Sequence, residues 1–199
     1  SEDNPEKIRF NNLEKWLKDG GSKYDKLKIR FYTPIYRGVH AANRIKAGEE
    51  ILFVPKDQII TLEMAEESPI GIKMMYHNLK PKLLSPKHGF LSTYILQEKK
   101  KGEDSVFFPF IDILPKSFEN FPIFFTPEEK EWLKGSPFLD QVEEKIEDIK
   151  ADYDLLWNKI PEYSQKIPNQ KFLTVLWATI FGRFSKNTII VHAIIISAM

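Results

Sequence analysis

An α+β fold, a small β-rich lobe followed by a large helical insert, is predicted by three features of this 199-residue chain. A first amphipathic helix is followed by short stretches of alternating polar and apolar residues, so residues 1–67 read as a helix and a small β lobe. Ser68-Pro69, Ser85-Pro86, Thr126-Pro127 and Ser136-Pro137 each place a capping oxygen before a proline suited to the first helical position, and residues 68–168 read as the helical insert. Residues 169–199 return to an amphipathic stretch and then a β-branched apolar run.

Asn4 and Pro5 start the first helix, whose Phe10, Leu13, Trp16 and Leu17 share a face, and Gly20-Gly21 ends it. Lys26 to Phe31 alternates polar residues with Leu27, Ile29 and Phe31 as a half-buried strand does. Tyr36 to Pro55, YRGVHAANRIKAGEEILFVP, reads as a compact hairpin with Ala47-Gly48 at its turn and Ile51 to Val54 as a buried strand, and Gln58 to Thr61 continues the extended character. Gly38 lacks a Cβ, so a ligand or a neighbouring strand can press against its main chain.

In the helical part, Thr126 and Glu129 make a capping box and Gly135 suits a helix C-terminus. From Pro137 toward Lys159 the period sets Phe138, Val142, Ile146, Ile149, Tyr153 and Trp157 on one stripe, which reads as core, with Glu143, Glu144, Glu147 and Asp148 outside. Gln170 to Ser185 carries Leu173, Leu176, Trp177, Ile180, Phe181 and Phe184 on a buried side. Arg183 lies beside that face, where its guanidinium either snorkels outward or meets an anion. Ile189 to Met199 reads as a buried strand, and His192 as a strand residue.

Lysine plus arginine (29) nearly balances aspartate plus glutamate (28), for a formal net charge of +1. No general field then attracts nucleic acid or an anionic membrane, and neither is an expected partner. The lack of cysteine excludes disulfides, thiolate catalysis and cysteine-ligated zinc, and His40, His77, His88 and His192 have no ligand spacing, so no metal site is expected. The polar, acidic start is wrong for a targeting peptide, and no apolar run approaches the ~20 residues of a membrane span. A cytoplasmic or nuclear monomer is the expectation, and a first residue other than methionine points to a processed or excised chain.

Two segments carry a resemblance. Tyr36 to Pro55, with its glycine turn and the close Leu52-Phe53-Val54-Pro55, resembles the N-terminal SET signature, and Ser105-Val-Phe-Phe-Pro-Phe-Ile-Asp-Ile-Leu-Pro115 resembles a signature in the helical insert of one SET branch. That branch comprises the SET-domain methyltransferases of the Rubisco large-subunit lysine methyltransferase and actin-histidine methyltransferase type. The order of the elements agrees from about Leu27 to Ser185, including Trp177, Ala178 and Arg183.

The resemblance implies transfer of a methyl group from S-adenosylmethionine to a side-chain nitrogen of a protein substrate, lysine before histidine. It implies cofactor contacts at Tyr36, Arg37 and Gly38, largely through the main chain, and at Arg183. Tyr36 stands where the family has its first glycine, and Gly182 where it has a serine; Arg37 can equally be a solvated turn side chain. His40 reads as a strand histidine rather than a catalytic base. The family's later Asn-His pair and tyrosine have no match in these 199 residues. The C-terminal part of the SET fold is therefore expected to be missing, no catalytic residue is assigned, and the chain alone is expected to be a poor catalyst. The competing expectation is an inactive SET-like binding module.

Overall fold

The computed structural model describes residues 4–34, 36–114 and 121–161. Pro5–Asp19 forms helix α1, and its start is local chemistry: the Asn4 side chain accepts a hydrogen bond from the Glu6 N–H at 3.1 Å, with Pro5 in the first turn. The Gly20 N–H donates back to the Trp16 carbonyl, and Gly21, at φ +89°, turns the chain in a conformation that side chains rarely adopt. Phe10, Leu13 and Leu17 are buried, and Trp16 is half-buried beside them.

Strands β1 (Leu27–Phe31) and β2 (Arg37–Ala41) pair antiparallel with Arg30 opposite Gly38. The pleat sends Ile29, Phe31, Arg37 and Val39 to one face, where the Phe31 ring meets Phe10 of α1 edge-on at 5.7 Å. Lys28, Arg30, Gly38 and His40 take the other face.

The hairpin is therefore not the one expected within 36–55. The Ala47-Gly48 turn does form, with the Glu49 N–H donating to the Lys46 carbonyl at 3.2 Å and Gly48 at φ +77°. Yet Ile51 to Val54 makes only an isolated bridge, Phe53 with Lys23, and Ile51 and Phe53 are 41% and 45% exposed. The Phe53 ring is covered by the Lys23 ammonium, 5.9 Å from its centroid, instead of by a core. Ile59 is extended at φ −116° and ψ 124°, but the extended reading of Gln58 to Thr61 fails at its first residue, because Lys56–Gln58 is a 3₁₀ turn. Its cause is Gln58, which is drawn inward to donate to the Trp16 carbonyl at 2.7 Å and to accept from the Ser22 hydroxyl at 2.6 Å.

The later helices are α2 (Leu62–Glu67), α3 (Pro69–Tyr76), α4 (Pro86–Lys101), α5 (Phe108–Asp112), α6 (Pro127–Glu131) and α7 (Pro137–Lys159). The four steps Ser68-Pro69, Ser85-Pro86, Thr126-Pro127 and Ser136-Pro137 all open helices, whereas Thr33-Pro34 lies in the bend between β1 and β2. Ser68 accepts from the Gly71 N–H, Thr126 and Glu129 form the capping box, and Ser136 accepts from the Phe138 N–H. On α7, Val142, Ile149, Leu156 and Trp157 are buried, Ile149 packing with Leu96 and against Ile123, Phe124 and Tyr153. Phe138, the first residue of the expected stripe, is 45% exposed.

The chain divides into two compact units, one of residues 4–61 with 97–114 and the other of residues 62–96 with 121–161 among those described. Among the described residues no helix is long and apolar enough to cross a membrane.

Candidate functional site

Tyr36, Arg37 and Gly38 enter β2 in succession, so the pleat cannot send all of them to one face. Arg37 turns toward α1. Its guanidinium lies over the Phe10 ring, 4.2 Å from the centroid, and Nη1 is 3.7 Å from Glu6 Oε2. Burial lowers the pKa of this group from the usual guanidinium value, and the neighbouring Arg9 lowers it further. With its side chain only 12% exposed, Arg37 is not a solvated turn residue but ties the hairpin to the first helix.

Tyr36 and Gly38 belong to the outer face. The Tyr36 ring tilts against Tyr32 at 5.3 Å, the Tyr32 hydroxyl is hydrogen-bonded to His40 Nε2, and the Arg30 guanidinium lies 5.5 Å over the Tyr32 ring. Gly38 sits within this group of side chains. A Cβ added there would lie 3.4 Å from Tyr32 Cε2, 3.5 Å from the Tyr32 hydroxyl and 3.6 Å from His40 Nε2, all ordinary van der Waals separations. Packing within the described residues therefore does not demand glycine here, and the backbone does not demand it either, since Gly38 is not among the positive-φ glycines.

The ladder also fixes the direction of the main chain. The Tyr32 N–H donates to the Tyr36 carbonyl at 2.8 Å and the Ala42 N–H to the Lys26 carbonyl at 2.7 Å, so Arg30 and Gly38 form a hydrogen-bonded rung between them. Alternation then directs the peptide groups of Arg37 and Val39 to the opposite edge of β2. Tyr36, Gly38, Tyr32 and His40 are brought together, Arg37 is turned away from them, and Arg183 lies outside the described residues, as does His192. Arg30 and Tyr32 escape a sequence reading because they join Gly38 only through the register across the hairpin. The polar positions of the alternating 26–31 stretch were the available signal.

The second motif is architecture rather than chemistry. Ser105 is buried, its Oγ donating to Glu98 Oε2 at 2.6 Å and accepting from the Phe107 N–H at 3.1 Å. The other Glu98 oxygen meets Lys101 Nζ at 2.5 Å, so the buried carboxylate is paired and hydrogen-bonded. Phe107, Phe110, Ile111, Ile113 and Leu114 are buried; Phe107 meets the Trp16 ring edge-on at 6.1 Å, and Arg9 Nη1 donates to the Asp112 carbonyl at 2.6 Å. These residues fasten α5 to α1.

The chain is 23% identical over 161 residues to the actin-histidine N-methyltransferase of Gallus gallus, covering 80% of this chain and 26% of that protein. It is 29% identical over 121 residues to the enzyme of that name in Drosophila melanogaster, covering 61% of this chain and 21% of that one. Among solved structures it is similar to Rubisco LSMT bound to sinefungin and monomethyllysine, with a TM-score of 0.69 and 24% identity over 87% of this chain and 39% of that one. The SET domain of LSMT bound to methyl-lysine and AdoHcy matches with a TM-score of 0.68.

The fold is that of a SET domain.

The resemblance carried by the segments at 36–55 and 105–115 is thus borne out, although no protein-family model matches the chain. The chain spans about a quarter of the length of the curated relatives it matches (26% for the Gallus gallus protein). Within this SET fold, Gly38 on the outer face of the hairpin is a glycine that neither a positive φ nor packing among the described residues requires.

Proposed function

We propose that this chain forms the cofactor-side part of an S-adenosylmethionine-dependent methyltransferase acting on a side-chain nitrogen of a protein, lysine before histidine. The observation that carries the reading is Gly38 itself. It is a residue without a Cβ that neither φ nor local crowding requires, framed by Tyr32 and His40 in a SET fold whose solved neighbours bind AdoHcy or sinefungin. A residue without a Cβ permits close approach of a ligand to the main chain. Gly38 and Tyr36 border the bound cofactor, Arg37 contributes through its main chain because its side chain is committed to Phe10 and Glu6, and Arg183 meets the cofactor carboxylate.

The cofactor, when bound, supplies an activated methyl group on a sulfonium. The protein's part is alignment, exclusion of water and a neutral acceptor amine, so little covalent assistance is needed. In this reading residues 68–168 are the helical insert of the SET lobe, and residues 169–199 begin its C-terminal part. These 199 residues by themselves transfer methyl weakly or not at all, since the family's Asn-His pair and tyrosine have no match in them. The chain acts as a cytoplasmic or nuclear monomer on a protein, without direct contact to nucleic acid or membrane.

Calorimetric titration of S-adenosylmethionine into the 199-residue chain tests the reading. We expect saturable heat that Arg183→Ala abolishes. Absence of heat at every accessible concentration overturns it in favour of a SET-fold binding module without turnover. One observation favours that second reading: the Arg37 guanidinium is packed inward, where it serves the fold.

A further inference from the structure

Away from the hairpin, the helical unit contains a cleft of about 430 Å³ between the 121–124 turn and the first half of α7. A volume in this range is that of a ligand pocket and not of a packing defect. Its apolar lining includes Ile123, Val142 and Ile149, and Phe121 and Phe138 also line it while remaining 38% and 45% exposed. Phe138 heads the apolar stripe of α7, so its exposure at this cleft departs from the amphipathic pattern that the rest of the helix obeys.

The charged lining is acidic by one net charge. Glu144 and Asp148 line the cleft with Lys145, whose Nζ is 3.7 Å from an Asp148 oxygen. Over 137–152 the helix carries Asp140, Glu143, Glu144, Glu147, Asp148 and Asp152 against Lys145 and Lys150. Lys130 meets Glu143 at 2.6 Å and Lys150 meets Glu147 at 4.0 Å, and Asp152 is turned to the Leu84 N–H, so the excess near the cleft is carried by the exposed Asp140 and Glu144. An apolar cleft with exposed rings and an acidic wall is complementary to a segment that is apolar and basic.

We propose that this cleft seats a basic amphipathic segment of a partner protein, an apolar side chain entering beside Phe121 and Phe138 while flanking lysine or arginine side chains meet Glu144 and Asp148. The cleft lies within the helical unit alone, so a failure of peptide binding is separable from a failure of cofactor binding, which the titration above reads independently.

The test is fluorescence anisotropy with the whole 199-residue chain and a labelled helical peptide that carries leucine at i, i+3, i+4 and i+7 and lysine at its other charged positions. Its partner probe has glutamate in place of every lysine. We expect the lysine peptide to saturate in the micromolar range and to lose roughly tenfold in affinity between 50 and 500 mM salt. Glu144→Lys and Phe138→Ser, both at exposed positions, should each weaken binding about fivefold or more. Tyr76→Ser, at a residue 84% exposed on α3, should leave it unchanged. The proposal is overturned if the lysine peptide does not saturate, if the glutamate peptide binds equally well, or if neither cleft variant alters the affinity. It is also overturned if sedimentation shows a concentration-dependent dimer that Glu144→Lys dissolves, since the cleft would then be an interface between copies of this chain.

Discussion

Glycines separate the residues that build this chain from those that could serve a ligand. An added Cβ at Gly71 would fall 2.0 Å from the Ala65 carbonyl oxygen, and one at Gly20 would fall 2.1 Å from Gln58 Nε2. At Gly38 the nearest atom would be 3.4 Å away. Gly71→Ala must move backbone, so we expect it to destabilise the chain by about 1–3 kcal/mol or more, read as a lowered urea midpoint at unchanged slope. Gly38→Ala should leave the midpoint within about 1 kcal/mol of the parent, because the reduced freedom of the unfolded chain works in its favour. The same substitution should weaken S-adenosylmethionine binding tenfold or more if the main chain at Gly38 borders the cofactor. A Gly38→Ala variant as unstable as Gly71→Ala would show that packing selected this glycine. The position itself was readable from the sequence, because a glycine inside an alternating pattern stands out. Its neighbours were not, because Tyr32 and Arg30 reach Gly38 across a pairing that sequence order does not specify.

At the scale of elements, the starts of α3, α4, α6 and α7 were legible because a Ser-Pro or Thr-Pro step acts on its own next turn. The α2 and α5 helices were not: α5 has no side-chain cap and is held by the burial of Phe110 and Ile111. Ile51 to Val54 misled for the complementary reason, since a good strand sequence still needs a neighbour, and here only Lys23 bridges to Phe53. The α7 helix is anchored by Ile149, and Ile149→Ala should cost about 2–5 kcal/mol in urea unfolding, whereas Phe138→Ala should cost well under half of that.

Asp152 of the same helix accepts the Leu84 N–H at 3.1 Å, yet burial raises its carboxyl pKa above the ordinary value despite that bond. A folded pKa above the unfolded one means that the folded state holds this proton more tightly. Stability therefore falls as pH rises from the unfolded to the folded value and stays lower above it. Asp152→Asn keeps an acceptor for Leu84 and removes the charge, so it should be more stable than the parent at pH 7, with the difference closing below the unfolded carboxylate pKa of about 4. Equal stability of the two proteins across that range would show that the carboxylate is better solvated than its position implies.

For the whole molecule, cofactor binding and methyl transfer can be tested apart. The described residues have a SET fold whose second motif serves the core, while the first presents, at Gly38, a glycine that packing among the described residues does not require. Binding and turnover should therefore dissociate in the 199-residue chain. A ligand present at 100 times its dissociation constant adds about 2.7 kcal/mol to the folded state, which for a chain of this length raises Tm by roughly 5–10 °C. S-adenosylhomocysteine should produce a shift of that order, and Gly38→Ala and Arg183→Ala should reduce it. With labelled S-adenosylmethionine and a protein carrying accessible lysine and histidine, the same chain should transfer no methyl above the blank. A shift without transfer is the signature of a cofactor site separated from the groups that orient the acceptor. Transfer by these residues alone would place those groups within them, and neither shift nor transfer would leave the SET fold as a scaffold for protein contacts.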